Sequence, residues 1–203
     1  MNGPSTTEIL ALRHGQSTWN DIGRWQGRAD PPLSEFGQTQ ALAAARLLGQ
    51  VDVIVTSPLE RAYKTAEIIA EHLGVGPVEV IEDLKERSIG LWEGLTRVEI
   101  EADWPGWIDD DRRPVGWEHD VDLQNRVVKA FAEVGRRYAG ATVLLIAHGG
   151  VLIAMEKYLS VNEARIPNLH GRVFRWTEGR FEAGDELNLL PPDMRTGGRS
   201  KRL

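Results

Sequence analysis

The sequence predicts an α/β protein with a mostly parallel central sheet flanked by helices. Short apolar runs alternate with longer segments of helical periodicity, and the apolar runs are rich in leucine and β-branched residues. Such alternation is typical of βα units arranged around a parallel sheet. A length of 203 residues, 41% hydrophobic and 27% charged, fits a single domain over residues 1–203.

Four apolar runs are predicted to be strands, because strands of a parallel sheet are buried on both faces and apolar throughout. They are residues 8–13, 51–56, 78–81 and 142–147. Apolar residues at helical spacing predict four helices. These are residues 34–50, 57–74, 118–140 and 150–161. Late in the chain, residues 172–179 and 180–188 predict a hairpin at the edge of the sheet.

The helix predicted at residues 57–74 carries the clearest boundary signals in the sequence. Ser57 and Glu60 have the spacing of a capping box, and Pro58 occupies the expected first helical position. Gly74 is the residue type that ends helices. We therefore expect the helix to begin directly after Ser57.

Residues 92–117 fit neither a strand nor a long helix, because they mix four tryptophans with many acidic residues. Two interpretations stand side by side: a mobile lid beside a binding site, or a surface excursion held by its tryptophans. The termini, residues 1–7 and 193–203, are predicted to be flexible tails.

Composition limits the partners and the cellular setting. The net charge of −6 makes the chain a poor partner for nucleic acid or an anionic membrane. The absence of cysteine excludes disulfides and thiolate metal sites. No apolar stretch is long enough to span a bilayer, and the start "MNGPSTTE" lacks the order of a signal peptide. We expect a soluble cytoplasmic protein.

Polar residues follow three of the predicted strands at the point where each strand ends. The first strand runs into Arg13-His14-Gly15, the second into Ser57-Pro58 with Arg61 shortly after, and the fourth into His148-Gly149-Gly150. The carboxyl ends of parallel strands form the crevice in which open α/β sheets bind ligands. These side chains are therefore candidates for one site.

Arg61 stands where an acidic residue would be favourable, because the first turn of a helix carries the positive end of its dipole. A bound phosphate would compensate the cation, held by the guanidinium and by free peptide N–H groups. The alternative is an ion pair between Arg61 and Glu60 or Asp83.

His14 and His148 share one context, an apolar run followed by histidine and glycine. Metal binding is the rival interpretation, but Arg13 would repel a dication and no H-x-H or H-E-x-x-H spacing supplies ligands. Two histidines and two arginines suit phosphoryl transfer without a metal or other cofactor. Guanidinium groups stabilise the transferring oxygens, and a neutral imidazole can act as nucleophile.

Five segments in order, "LRHGQSTWN", "DPPLSEFGQTQA", "TSPLERAYKTAE", "LKERSIGLWEGLT" and "IAHGGV", resemble the histidine phosphatase superfamily of phosphoglycerate mutase-like enzymes. The resemblance runs from about residue 9 to about residue 160. It implies a three-layer α/β sandwich with a mostly parallel sheet.

The resemblance also implies roles for individual residues. His14 would be the phosphorylated nucleophile, and Glu86 the general acid and base. Phosphate would be bound by the remaining matched positions, which are Arg13, Ser17, Asn20, Arg61, His148 and the backbone of Gly149. Because Glu86 must hold a proton when substrate binds, an acidic or neutral pH optimum is expected.

We expect a phosphatase acting on small phosphomonoesters through a phosphohistidine. A cofactor-dependent phosphoglycerate mutase is one alternative, but the segment after "WEG" is short and acidic, with only Arg97, Arg112 and Arg113 to attract a polyanion. A non-catalytic phosphate-binding module is the other alternative. The tryptophans favour a substrate with an apolar body, unless they serve packing alone.

Two further features stay open at this stage. The family's "G-G-E-S" block is altered to Val115-Gly116-Trp117-Glu118-His119, which keeps the acid but puts a substrate role for the block in doubt. The predicted edge hairpin near residues 172–183 could pair two copies of the chain in a homodimer.

Overall fold

The computed structural model describes residues 5–161 and 164–194. Within them, six strands form one sheet in the order β3-β2-β4-β1-β5-β6. The strands are β1 (Thr7–Arg13), β2 (Val53–Thr56), β3 (Glu79–Val80), β4 (Thr142–Ala147), β5 (His170–Thr177) and β6 (Arg180–Asn188). The first four run parallel, while β5 and β6 form an antiparallel hairpin beside β1.

The α-helices of the described residues are α1 (Thr18–Asp21), α2 (Glu35–Leu47), α3 (Glu60–Leu73), α4 (Arg97–Asp103), α5 (Asp120–Arg137) and α6 (Gly149–Tyr158). The predicted strands and helices are all present, and the α/β class with a mostly parallel sheet is confirmed. None of these helices is long and apolar enough to cross a membrane.

The central strand β4 contributes to a core on each face of the sheet, so the sheet is the middle layer between two layers of helices. Val143, Leu145 and Ala147 belong to the core shared with α5 and α6. Leu144 and Ile146 belong to the core on the opposite face, with α2 and α3. Because successive side chains of a strand point to opposite faces, a wholly apolar strand is required where both faces are covered.

The capping prediction for α3 is wrong. The helix begins at Glu60, its N-cap is Leu59, and no side chain caps it. The Ser57 hydroxyl instead contacts Nε2 of His148 at 2.8 Å and accepts a hydrogen bond from the Leu59 amide. The other end is as expected, since Gly74 adopts the left-handed conformation with φ of 67°.

Regular structure includes residues of both predicted tails. Thr7 lies in β1, where its buried hydroxyl donates to the Gly135 carbonyl at 2.8 Å. Residues 193 and 194 lie in a short 3-10 helix, Pro192–Met194. The prediction of flexible tails for residues 1–4 and 195–203 falls outside the described residues.

Residues 92–117 fold around a buried tryptophan. Trp92 is fully buried, and the rings of Trp25, Trp104 and Trp117 stand edge-on to it at centroid distances of 5.6, 6.5 and 5.7 Å. Such edge-to-face pairs stabilise packing beyond the area they bury. The structure therefore agrees with a segment held in place by its tryptophans, and Trp92 is not available to a substrate.

Candidate active site

Three neighbouring strand ends bring the predicted site residues together. Both β1 and β2 pair in parallel with β4, so their carboxyl ends lie side by side. The rings of His14 and His148 stand edge to face with centroids 5.2 Å apart. Since the two residues are 134 positions apart, only the sheet places them next to each other.

His14 presents one ring nitrogen as a base and has the other fixed by the backbone. Its Nδ1 lies 2.6 Å from the Gly15 carbonyl oxygen, so Nδ1 carries the proton and Nε2 the lone pair. Burial, followed by the charges of Arg61 and Arg13, holds the pKa of His14 well below its usual value of 6.5. The imidazole is therefore neutral at neutral pH, as a nucleophile must be.

Arg61 is buried and points at His14 from the first turn of α3. Its Nε donates to Nε2 of His14 at 3.3 Å, while its two terminal nitrogens donate to the carbonyls of Ala29 and Gly27 at 2.7 and 2.8 Å. Within the described residues no carboxylate forms an ion pair with Arg61, so the alternative pairing with Glu60 or Asp83 is absent. The guanidinium is fixed in place with its charge directed at the site.

Arg13 and Asn168 connect the end of β1 to a loop from the distant C-terminal part of the chain. Arg13 donates to the Ile166 carbonyl at 2.9 Å, and Asn168 donates to the His14 carbonyl at 2.8 Å. Burial, together with the charge of Arg165, lowers the pKa of Arg13 to about 10, with Glu86 acting in the opposite direction. Arg13 is thus still a cation at neutral pH.

His148 has one partnered nitrogen and one free nitrogen in a fully buried ring. The Ser57 hydroxyl lies 2.8 Å from Nε2. Nδ1 has no hydrogen-bond partner among the described residues. Burial, followed by the charge of Arg61, holds the pKa of His148 well below 6.5. A buried polar atom without a partner is costly, and a phosphoryl oxygen would satisfy it.

Glu86 is held at the site by two backbone amides. Its Oε1 accepts from the Arg87 amide at 2.8 Å and its Oε2 from the Gly150 amide at 3.2 Å. A Cβ on Gly150 would collide with the Glu86 carboxylate, so a larger residue there would displace that carboxylate. The negative charge of Glu86 raises the pKa of both Arg13 and Arg61, so the carboxylate lies within electrostatic range of the two guanidinium groups.

Ser17 and Asn20 lie next to the site in a capping box at the start of α1. Ser17 Oγ accepts from the Asn20 amide at 3.0 Å and donates to Gln26 Oε1 at 2.7 Å. Asn20 Oδ1 in turn accepts from the Ser17 amide at 3.2 Å and from Asn168 at 3.4 Å. Both side chains already have protein partners, and their contact with phosphate stays a prediction, as does that of the Gly149 amide at the start of α6.

Sequence analysis missed Asn168 as part of this site, and it placed Ser57 at the end of the second strand but assigned its side chain to a helix cap. Ser57 carried a signal, since it follows a strand at the binding edge, but its spacing to Glu60 matched a helix cap. Asn168 carried none, because it lies in a loop 154 residues from its partner His14. A contact over such a separation depends on the sheet topology alone.

The site is a cluster of cationic and neutral nitrogen groups beside the acid Glu86, in a chain of net charge −6. Arg13 and Arg61 supply guanidinium groups, His14 a lone pair and His148 an unpartnered nitrogen. No group of three or more metal-ligating side chains occurs in the part of the chain that the structure describes. The arrangement can hold a tetrahedral oxyanion in contact with a nucleophile.

Comparison with known proteins agrees with this geometry. The model of the histidine phosphatase superfamily, branch 1, matches residues 9–188. The chain is 40% identical over 201 residues to a glucosyl-3-phosphoglycerate phosphatase of Mycobacterium tuberculosis, covering 90% of each chain. It is 35% identical over 168 residues to a metal-independent phosphoserine phosphatase of Arabidopsis thaliana, covering 78% of this chain and 70% of the plant protein.

The similarity extends to three-dimensional structure. A solved structure of the mycobacterial glucosyl-3-phosphoglycerate phosphatase superimposes with a TM-score of 0.76 at 32% sequence identity, over 88% of this chain and 97% of the other. The phosphoglycerate mutase-like sandwich expected from the sequence motifs is thereby confirmed.

Proposed function

The chain belongs to branch 1 of the histidine phosphatase superfamily, and from this premise we propose that it hydrolyses small phosphomonoesters through a phosphohistidine at His14. Its relatives are phosphatases, and the chain is a metal-independent phosphoric monoester hydrolase. One observation carries the proposed intermediate: His14 is neutral, with its lone pair at Nε2 among two guanidinium groups and its proton fixed at Nδ1.

In the first step, Nε2 of His14 attacks phosphorus and the bond from phosphorus to the ester oxygen breaks. The equatorial oxygens take the hydrogen bonds of Arg13 and Arg61, and His148 donates from its unpartnered Nδ1. Arg61 Nε transfers its long 3.3 Å contact from Nε2 to a phosphoryl oxygen, which frees the lone pair. Glu86 gives its proton to the departing alkoxide.

In the second step, water replaces the alcohol. Glu86, now a carboxylate, accepts a proton from the water as its oxygen bonds to phosphorus, and the bond between His14 and phosphorus breaks. Inorganic phosphate leaves, and Glu86 again holds a proton. Two amides fix the Glu86 carboxylate, which supports its use in both steps.

We further propose a substrate with a carboxylate beside the phosphate. Glycerate and serine, in the names of the two relatives above, are both carboxylates. Arg165 is exposed and forms no ion pair within the described residues. It directly precedes Ile166, whose carbonyl accepts a hydrogen bond from Arg13. Arg97, Arg112 and Arg113 are instead engaged with Asp109, Trp107 and Trp117.

The remaining parts of the proposal concern setting and assembly. Cytoplasmic location is supported by the absence of cysteine. A homodimer through the hairpin is supported by the position of β6 at the sheet edge. The net charge supports the absence of nucleic-acid and membrane partners. One domain over residues 1–203 is supported by the family match across residues 9–188.

Substrate hydrolysis tests the proposal. The purified chain is expected to release phosphate from nitrophenyl phosphate, and from 3-phosphoglycerate more efficiently than from glycerol phosphate, which lacks the carboxylate. Arg165→Gln should reduce the preference for 3-phosphoglycerate over glycerol phosphate. Arg180→Gln, at the turn between β5 and β6, should leave that preference unchanged. Mutase activity stimulated by bisphosphoglycerate would favour the mutase, and absence of hydrolysis at every pH would favour a binding module.

A further inference from the structure

Glu118, the acid kept in the altered block, is turned away from solvent and paired with Arg126 of α5. Its Oε1 lies 2.7 Å from Nε of Arg126 and its Oε2 lies 2.8 Å from Nη2, a two-point contact. The side chains of Glu118 and Arg126 are only 11% and 15% exposed. Burial works against ionisation, but the hydrogen bond and charge of Arg126 hold the pKa of Glu118 below its usual range. The pair is therefore ionic.

The other hydrogen bonds of Arg126 go to the segment that carries Glu86. Its Nη1 donates to the carbonyls of Asp83 and Lys85 at 2.7 and 2.6 Å, and its Nη2 donates to the carbonyl of Glu86 at 3.2 Å. Glu118 contacts the C-terminal end of the same segment, where its Oε2 accepts a hydrogen bond from the Ser88 amide at 3.3 Å. The pair thus holds residues 83–88 at several backbone points.

Arg28 contacts both Glu118 and the Glu86 backbone. Its Nε donates to the Glu86 carbonyl at 3.3 Å and its Nη2 to Glu118 Oε1 at 3.3 Å. The Glu118 carboxylate therefore lies between two guanidinium groups, and both of these groups are bonded to the Glu86 backbone. Without that carboxylate the two cations would repel each other across the carbonyl that sets the position of Glu86.

We propose that Glu118 and Arg126 are positioning residues for proton transfer by Glu86: they fix its backbone so that the carboxyl reaches the ester oxygen. Neither contacts the reacting atoms. A general acid acts only within hydrogen-bond reach of its target, so a small displacement of residues 83–88 weakens protonation of the leaving group. The inference rests on the proposed function, in which Glu86 is that acid.

The test compares leaving groups in the Glu118→Gln variant, which keeps the size of the side chain and removes its charge. The value of kcat/KM reports transfer to the enzyme, and alkyl phosphates need protonation of the leaving oxygen far more than nitrophenyl phosphate does. We expect at least a fivefold greater loss on glycerol phosphate than on nitrophenyl phosphate. In a Glu86→Gln background the same change should cause no further selective loss.

Glu99→Gln is the matched control, because Glu99 forms a similar two-point contact with Arg24 at 3.1 and 3.3 Å in the tryptophan-rich segment. We expect Glu99→Gln to change kcat/KM by the same factor for both substrates. If Glu118→Gln does not fold, Arg28→Gln makes the same comparison from a side chain that is 43% exposed.

Two results overturn the inference: equal losses on both substrates in Glu118→Gln, or a selective loss that persists without Glu86. Failure of the proposed function gives a different result from both of these. If Glu86 is not the general acid, the loss of kcat/KM in Glu86→Gln itself does not depend on the leaving group.

Discussion

The surroundings of His14 give its side chain the properties that the proposed nucleophile needs. Gly15 supplies the carbonyl that fixes the proton on Nδ1, and Arg61 and Arg13 disfavour a second proton. The two guanidinium groups that would bind phosphate therefore also keep the imidazole neutral before phosphate arrives.

The buried histidines predict how stability changes with pH. Both have folded-state pKa values well below 6.5, so the unfolded chain binds more protons as the pH falls below that value. The free energy of unfolding should fall between pH 6.5 and 5, by up to about 1.4 kcal/mol per pH unit for each histidine. Urea unfolding in phosphate-free buffer measures this slope.

The variants His14→Gln and His148→Gln should each show a shallower slope than the wild type over the same pH range. Parallel slopes in the wild type and both variants would contradict the assigned shifts.

At the residue scale, the motif side chains were predictable and their supporting partners were not. Arg13, His14, Arg61 and His148 share a local pattern, a polar residue after a strand or in the first turn of a helix. Arg126 has no such pattern, because its role depends on carbonyls 40 to 43 positions away. Periodicity describes one element at a time and carries no information on contacts between elements.

At the scale of elements, the loop after β1 packs backbone to backbone against the start of α2. A Cβ on Gly15 would lie 2.7 Å from the Gly37 carbonyl oxygen, and a Cβ on Gly37 would collide with the Gln16 carbonyl. The glycine after His14 therefore permits the close approach of a helix that holds the loop.

Gly37→Ala should therefore destabilise the protein by about 2 kcal/mol or more, because backbone must move to accept the new methyl group. It should also lower kcat, since Gln16 lies two residues after His14. Gly49→Ala is the matched control, as no atom lies within 4 Å of the added Cβ. Equal unfolding free energies for the two variants, measured in urea, would refute this packing argument.

Element types were predictable from apolar periodicity, but the boundaries were less so. The start of α3 shows why: Ser57 has the right spacing for a cap, yet its hydroxyl contacts His148. His148, which follows β4, takes the place of the local helix backbone as a partner of the Ser57 hydroxyl. Sequence spacing alone does not reveal such a competitor.

At the scale of the whole molecule, a buried ion pair joins helix α6 to the antiparallel hairpin. Glu156 of α6 and Arg172 of β5 are in contact at 2.8 Å, with side chains only 4% and 11% exposed. Arg172 also donates to the Gly184 carbonyl at 2.8 Å and to Glu186 at 3.0 Å. The helix that begins beside His148 is thereby fixed to the hairpin.

Glu156→Leu should cost about 3 kcal/mol of stability, because it leaves the buried Arg172 without its main partner. The double change with Arg172→Leu should cost less than the sum of the two single changes, since no unpaired charge is left. Chemical denaturation of the three variants measures this coupling. Strictly additive losses would show that the pair does not link α6 to the hairpin.

The order of the strands was not predictable from the sequence. The hairpin was expected at an edge, and β6 does form one edge, but nothing local indicates that β5 lies against β1. That placement brings the loop with Asn168 and Arg165 to the proposed phosphate site, where Arg13 and His14 contact it. The site therefore combines residues from both ends of the described chain.

Transfer of a labelled phosphoryl group to the protein tests the central claim most directly. The chain is mixed rapidly with ³²P-labelled substrate, denatured in alkali, in which phosphohistidine survives, and digested for peptide mapping. The account predicts label on His14 of the wild type and none at that position in His14→Ala, whose turnover is lost. Label on another residue, or wild-type turnover by His14→Ala, would contradict it.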